Sequence, residues 1–118
     1  MWIFVKYGFY SIACAAKPDG TPDPATLMIR GRTREHMQNL QSRFPALADF
    51  TVVVLLDCDY KYRMIVPKSV WVPVLAELAQ EQTWSNFKNQ ATDYAGRHQS
   101  EYIDALHRVW SIMFNLQD

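Results

Sequence analysis

Arginine recurs at every second position in Met28-Ile29-Arg30-Gly31-Arg32-Thr33-Arg34. In an extended strand, side chains two apart share a face. Arg30, Arg32 and Arg34 would then aim three guanidinium groups the same way. Like charges gathered on one face repel unless they meet anions or carboxylates. A guanidinium forks onto phosphate or carboxylate oxygens through paired N–H bonds. The chemistry on offer is anion binding, with His36 one helical turn away and able to join it. The competing reading is the solvated face of a strand.

A second cluster, Tyr60-Lys61-Tyr62-Arg63 followed by Lys68, alternates ring and cation. As a strand it puts Tyr60 and Tyr62 on one face and Lys61 and Arg63 on the other. Exposed sheet aromatics flanked by basic groups stack the bases of single-stranded nucleic acids. The order here does not follow the ribonucleoprotein motifs of the RNA-recognition module. The plainer reading is two tyrosines that cover the helical layer with wet hydroxyls.

Other polar residues offer less. Asp57 and Asp59 are two apart and read as turn formers. They supply too few oxygens for a divalent cation. His36, His98 and His107 are scattered, and Cys14 and Cys58 lack zinc-ligand spacing. No metal and no cofactor is expected. No nucleophile elbow, phosphate loop, dinucleotide turn or metalloprotease helix occurs, so no catalytic residue is assigned. Lys6, Tyr7, Arg63 and Lys88 are the dispersed set that a pocket between sheet and helices would use.

Composition bounds the object that must position these groups. With 118 residues, the chain is expected to form one domain able to bury a core unaided. Four Trp, six Tyr and six Phe supply apolar area that disordered chains lack. The formal net charge is zero, which argues against a generic nucleic-acid coat. Charge is nevertheless uneven: residues 1–45 carry a net +3 and residues 46–118 a net −3. Either the halves pair or the first carries a basic patch. The cysteines stand in apolar stretches and read as buried free thiols, with a disulfide left open. The opening Met-Trp-Ile-Phe-Val-Lys lacks the features of a signal peptide, and no apolar run approaches a membrane span. A soluble, cytoplasmic protein is expected, with no membrane partner.

Trp2 to Ala16 is aromatic and β-branched and predicts one long strand, bent at Gly8. Lys17 to Pro24 predicts a hairpin loop, and Ala25 to Thr33 the returning strand. Thr33 or Arg34 opens a helix that Pro45 stops. Phe50 to Leu56 predicts a buried central strand, Asp57-Cys58-Asp59 a turn, and Tyr60 to Val66 a further strand. A helix follows from Pro67 or Ser69, regular from nearer Trp71 because Pro73 is comfortable only in a first turn. Thr83 is expected to cap a short helix with Trp84, Phe87, Ala91 and Tyr94 inward, ended by Gly96. Ser100 caps the last helix, with Tyr102, Ile103, Leu106, Val109, Trp110, Met113 and Phe114 on its apolar face. The expected class is α+β over residues 1–118: a two-layer sandwich with a four-stranded, mainly antiparallel sheet (ββαββ, then helices) and a helical C-terminal third.

On these residues the chain resembles a family of small bacterial and phage-borne proteins of uncharacterised function that open Met-Trp-Ile-Phe-x-Lys-Tyr-Gly-Phe. The resemblance rests on Met1 to Phe4, Lys6-Tyr7-Gly8-Phe9, Arg30-Gly31-Arg32, Asp59 to Arg63, Asn86-Phe87-Lys88 and Trp110. It runs through nearly the whole chain. Phe44-Pro45 and Pro67-Lys68 fit it, and Pro73 departs from it. It implies a compact, intracellular, single-domain protein and brings no activity or ligand with it.

The leading functional expectation is a non-enzymatic binding module. Arg30, Arg32, Arg34, Tyr60, Tyr62 and Arg63 would hold an anionic partner, a protein first and a nucleic acid second. An accessory protein of a phage or mobile element that inhibits host defence is one form of this. The alternatives are a small enzyme or ligand-binding protein with a cleft lined by Lys6, Tyr7 and Lys88, and a structural homo-oligomer, of which a homodimer is the simplest case.

Overall fold

Gly8 divides the opening apolar run into two strands. The protein is described by a computed structural model covering residues 1–96 and 100–118. In it β1 (Trp2–Val5) and β2 (Gly8–Ala16) fold back on each other about Lys6-Tyr7. Gly8 has φ +152°, a conformation that side chains resist. A Cβ there would stand 2.7 Å from His36 Cβ. The one long strand of the sequence reading is therefore a hairpin, and the sheet has five strands instead of four.

The described residues group into two compact units: Met1–Phe4 with Gly8–Gln82, and Val5–Tyr7 with Thr83–Asp118. The first holds β3 (Pro22–Gly31), α1 (Arg34–Arg43), β4 (Val53–Val54), β5 (Tyr62–Pro67) and α2 (Lys68–Gln80). The antiparallel sheet runs β1-β2-β3-β5-β4. Lys17 to Thr21 makes the β2–β3 turn, where Lys17 N–H donates to Thr21 O at 2.8 Å. The Asp19 carboxylate accepts both Thr21 N–H and Thr21 Oγ–H, which lowers its pKa.

One face of this sheet makes the core. Ile12 pairs with Ile29, Ile29 with Met64, and Leu27 with Val66. These five buried side chains meet Met37 and Leu40 of α1 and Trp71, Val74 and Leu78 of α2. Each such side chain stabilises by about 1.5–3 kcal/mol when taken from water. Thr33 caps α1 by accepting His36 N–H at 3.2 Å, and Phe44-Pro45 ends it, as the sequence predicts. Arg43 pairs with Glu77 and Glu81, tying α1 to α2.

Two expectations for this unit fail. Phe50 to Leu56 is not a buried central strand. Only Val53–Val54 pairs, at the sheet edge, with both side chains exposed. A short apolar run carries no period that separates centre from edge. The helix α2 enters at Lys68, between the two predicted starts, but its regular part does not wait for Trp71 and runs through Pro73, which faces solvent. The buried stripe of Trp71, Val74 and Leu78 outweighs one lost hydrogen bond.

In the second unit, α3 (Phe87–Ala95) and α4 (Ser100–Phe114) accompany Val5–Tyr7. Tyr102 OH donates to Val5 O at 2.8 Å across 97 residues of chain. Burial pushes its phenol upward, so it stays protonated and donating. Tyr7 packs edge-on against Tyr94. Asn86, not Thr83, caps α3, accepting Asn89 N–H, and Trp84 lies outside the helix and exposed. Gly96 ends α3 with φ +55°. Of the apolar face of α4, Tyr102 and Leu106 are buried, while Trp110, Met113 and Phe114 are exposed. Among the described residues, no helix is long and apolar enough to cross a membrane.

Candidate functional site: an arginine cluster on the second face of the sheet

The residues between those of the core point to the other face. Register fixes what lies there. Ser11 stands opposite Arg30, Arg30 opposite Arg63, and Arg63 opposite Val53. Met1 and Ile12 exchange backbone hydrogen bonds at 2.7 and 2.8 Å. That exchange puts Trp2 opposite Ser11 and Phe4 opposite Phe9, whose rings stack at 4.6 Å. A row Trp2–Ser11–Arg30–Arg63 thus crosses four strands. Trp2 also meets Phe9 edge-on at 5.7 Å.

Tyr60 organises the cations. It precedes β5 and is only 4% exposed. The guanidinium carbons of Arg30 and Arg32 each lie 4.7 Å from its ring centroid. Arg63 Nε donates to Tyr60 O at 3.1 Å, and Arg63 Nη1 reaches Met28 Sδ at 3.7 Å. Arg30 Nη2 donates to Ser11 Oγ at 2.7 Å. Arg32 Nη1 donates to the backbone carbonyl of Asp59 at 3.2 Å. The Asp59 carboxylate is turned to its own turn, where it accepts Tyr60 N–H at 2.9 Å.

Every acceptor in this arrangement is neutral. Among the described residues, Arg30, Arg32, Arg34 and Arg63 have no carboxylate partner, and the ion pairs belong to Arg43. Arg30 Nε is shielded from solvent and has no acceptor. A shielded donor left unpaired costs about 1–3 kcal/mol, more when it is charged. Placing Arg63 directly opposite Arg30 adds repulsion. Contact with Tyr60 recovers about 0.5–2 kcal/mol for each cation. An anion on this face would offset the remaining charge.

The comb is only partly realised. Strand β3 stops at Gly31 and Thr33 turns the chain into α1. Arg34 therefore leaves the row and lies 5.3 Å from Tyr62, which Lys61 also approaches at 5.8 Å. Tyr60 and Tyr62 do not form a matched stacking pair. Tyr60 is buried in the turn, and Tyr62, opposite Gly31, shares the parity of the core residues. The ring of His36 is buried against Gly8, where its Nδ1 faces Phe9 N–H at 3.4 Å, and is not presented with the exposed Arg34. The sequence reading missed Trp2, Phe9 and Ser11. Their signal was the parity of two strands read as one.

The pocket residues divide between the units. Arg63 lies in the first, and Lys6, Tyr7 and Lys88 in the second. Lys6 lies 5.3 Å from the Tyr7 ring and 5.8 Å from Tyr94, and Lys88 lies 4.4 Å from Trp110. Cys14 and Cys58 are free and exposed, against the expectation of burial. Cys14 has the parity of the core but sits beside a register shift at Cys14/Ala15. Among the described residues, no group of His, Cys, Asp and Glu could hold a metal. His98 lies outside the described residues.

Comparison with known proteins gives no match to a family model, a curated protein or a solved structure.

Proposed function

We propose that this protein is a non-enzymatic binding module that takes an anionic partner on the second face of its sheet. One observation carries the reading: Arg30, Arg32 and Arg63 gather around Tyr60 with no carboxylate among them. A structural arginine cluster is ordinarily neutralised from within, because buried or half-buried charge is costly unless paired. Here the guanidinium groups are held in place by a ring, a hydroxyl, a sulfur and two carbonyls. Such partners orient a cation without cancelling it. Arg34, over Tyr62, lies outside this cluster. The partner supplies phosphate or carboxylate oxygens, and a phage or mobile-element role remains within this reading.

A panel of labelled polyanions tests it: polyphosphate, poly-glutamate and an oligonucleotide, followed by fluorescence anisotropy. At least one should bind with salt-dependent affinity that Arg32→Glu lowers at least tenfold. Silence from all three at low salt would defeat the reading.

Exposed apolar groups favour a second reading, the homo-oligomer. Trp110 is 53% exposed, Met113 and Phe114 lie beside it on α4, and the edge strand β4 exposes Val53 and Val54. Light scattering across a concentration series decides it: a strict monomer at high concentration removes it.

A further inference from the structure

We propose that the occupant of the arginine face is a single-stranded nucleic acid, its phosphates on the guanidinium groups and its bases on Trp2 and the Phe4–Phe9 stack. The proposal rests on the reading of this face as an anion site and names the ligand. Phosphate or carboxylate alone would explain the arginines. Neither explains the aromatic end of the same row. Trp2 is 67% exposed although it lies in a paired strand, and Phe4 and Phe9 are half-buried beside it. Trp2 ends the row that holds Arg30 and Arg63, and the Phe4–Phe9 pair lies in the next row on the same face.

A ligand that uses both ends needs flat apolar surfaces and negative charge alternating along one chain. An unpaired nucleotide strand has both, because each base offers a π-face and each linkage a phosphate. A duplex hides its base faces in its own stack. An acidic peptide satisfies the guanidinium groups and leaves Trp2 idle. The scale also fits. Arg30 lies two strand spacings from Trp2, roughly 9–10 Å, and Arg63 one more. A sheet face of this width carries two or three stacked bases in RNA-recognition folds. Specificity between RNA and DNA would need a donor or acceptor for the 2′-hydroxyl, so both sugars belong in the test.

The experiment is anisotropy with fluorescein-labelled 12-mers of dT and U, alongside a duplex of equal length, polyphosphate and poly-glutamate. Either single strand should bind at least tenfold tighter than the duplex or poly-glutamate. With three phosphates neutralised, the logarithm of affinity should fall with the logarithm of salt at a slope of about −2. Trp2→Ala should weaken the single strand about 10- to 100-fold and leave polyphosphate unchanged. Lys17→Gln, in the β2–β3 turn, should bind like the parent. Intrinsic fluorescence supplies a second readout: the strand should quench tryptophan emission in the parent and not in Trp2→Phe. Polyphosphate or poly-glutamate binding as tightly as the oligonucleotide, with Trp2→Ala without effect, overturns the nucleic acid and leaves the anion site standing. Equal binding of duplex and single strand overturns it too. No binding of any polyanion overturns both.

Discussion

Arg30 and Arg63 stand directly opposite each other across β3 and β5, and neither meets a carboxylate among the described residues. The pair opposes the strand pairing that holds it, so a bound anion should stabilise the fold. Polyphosphate at 100 times its dissociation constant should add about 2.7 kcal/mol by mass action. Sodium chloride at equal ionic strength screens the repulsion but does not bridge the pair, and should add less. Thermal unfolding of parent and Arg63→Gln in both salts measures this. The polyphosphate increment should shrink in the variant. An increment equal to that of chloride would mean that no bridging site exists.

Arg32 separates binding from stability. It is exposed, and its one hydrogen bond goes to a loop carbonyl. Loss of the Tyr60 contact and relief of repulsion with Arg30 act in opposite directions, so Arg32→Glu should change unfolding free energy by no more than about 1 kcal/mol. The same change should cost at least tenfold in affinity for whichever polyanion binds. A large loss of stability in urea titration would show that the contact with Tyr60 is a fold element.

The contrast between Arg32 and Arg34 shows what the sequence could reveal. Alternation put Arg30 and Arg32 on one side, both over Tyr60, but could not say where the strand ended. Thr33 is both a good strand residue and a good helix cap, and its side chain chose His36 N–H. The α1 boundaries, a turn beginning at Lys17 and the Gly96 stop were legible because local chemistry decides them, although Pro22 to Pro24, predicted as loop, already belong to β3. The edge position of Val53–Val54 and the burial of Tyr60 were not, because strand order is set by distant pairings. The α4 stripe was read correctly as apolar, yet periodicity cannot tell whether a partner surface exists.

Gly8 supports both faces at once. Its positive φ forms the β1–β2 hairpin, and the His36 ring fills the space a side chain would need. Gly8→Ala combines backbone strain of about 1–2 kcal/mol with overpacking of about 1–3 kcal/mol. Urea unfolding should therefore show a loss of roughly 2–5 kcal/mol on these two scales. A variant as stable as the parent would mean that the hairpin is not built on this contact.

His36 should give the fold an acid limit. Burial holds its pKa below the ordinary histidine value, with Glu35 acting more weakly the other way. The unfolded chain takes up this proton near pH 6.5 while the folded chain resists it. Stability from this group is thus complete above about pH 6.5, falls as pH drops toward the folded pKa, and levels off below it. The thermal midpoint should decline between pH 7.5 and 5.5. That decline should be smaller in His36→Gln than in the parent. Equal declines in both proteins would remove His36 as the cause.

If Arg30, Arg32 and Arg63 form a site for an external anion, nitrogen-edited NMR of the arginine side chains will show it during a polyphosphate titration. The guanidinium signals of these three residues should shift together and saturate, with Arg108 and Arg43 unmoved. Signals of the three that stay fixed, while others respond or none do, would contradict the account.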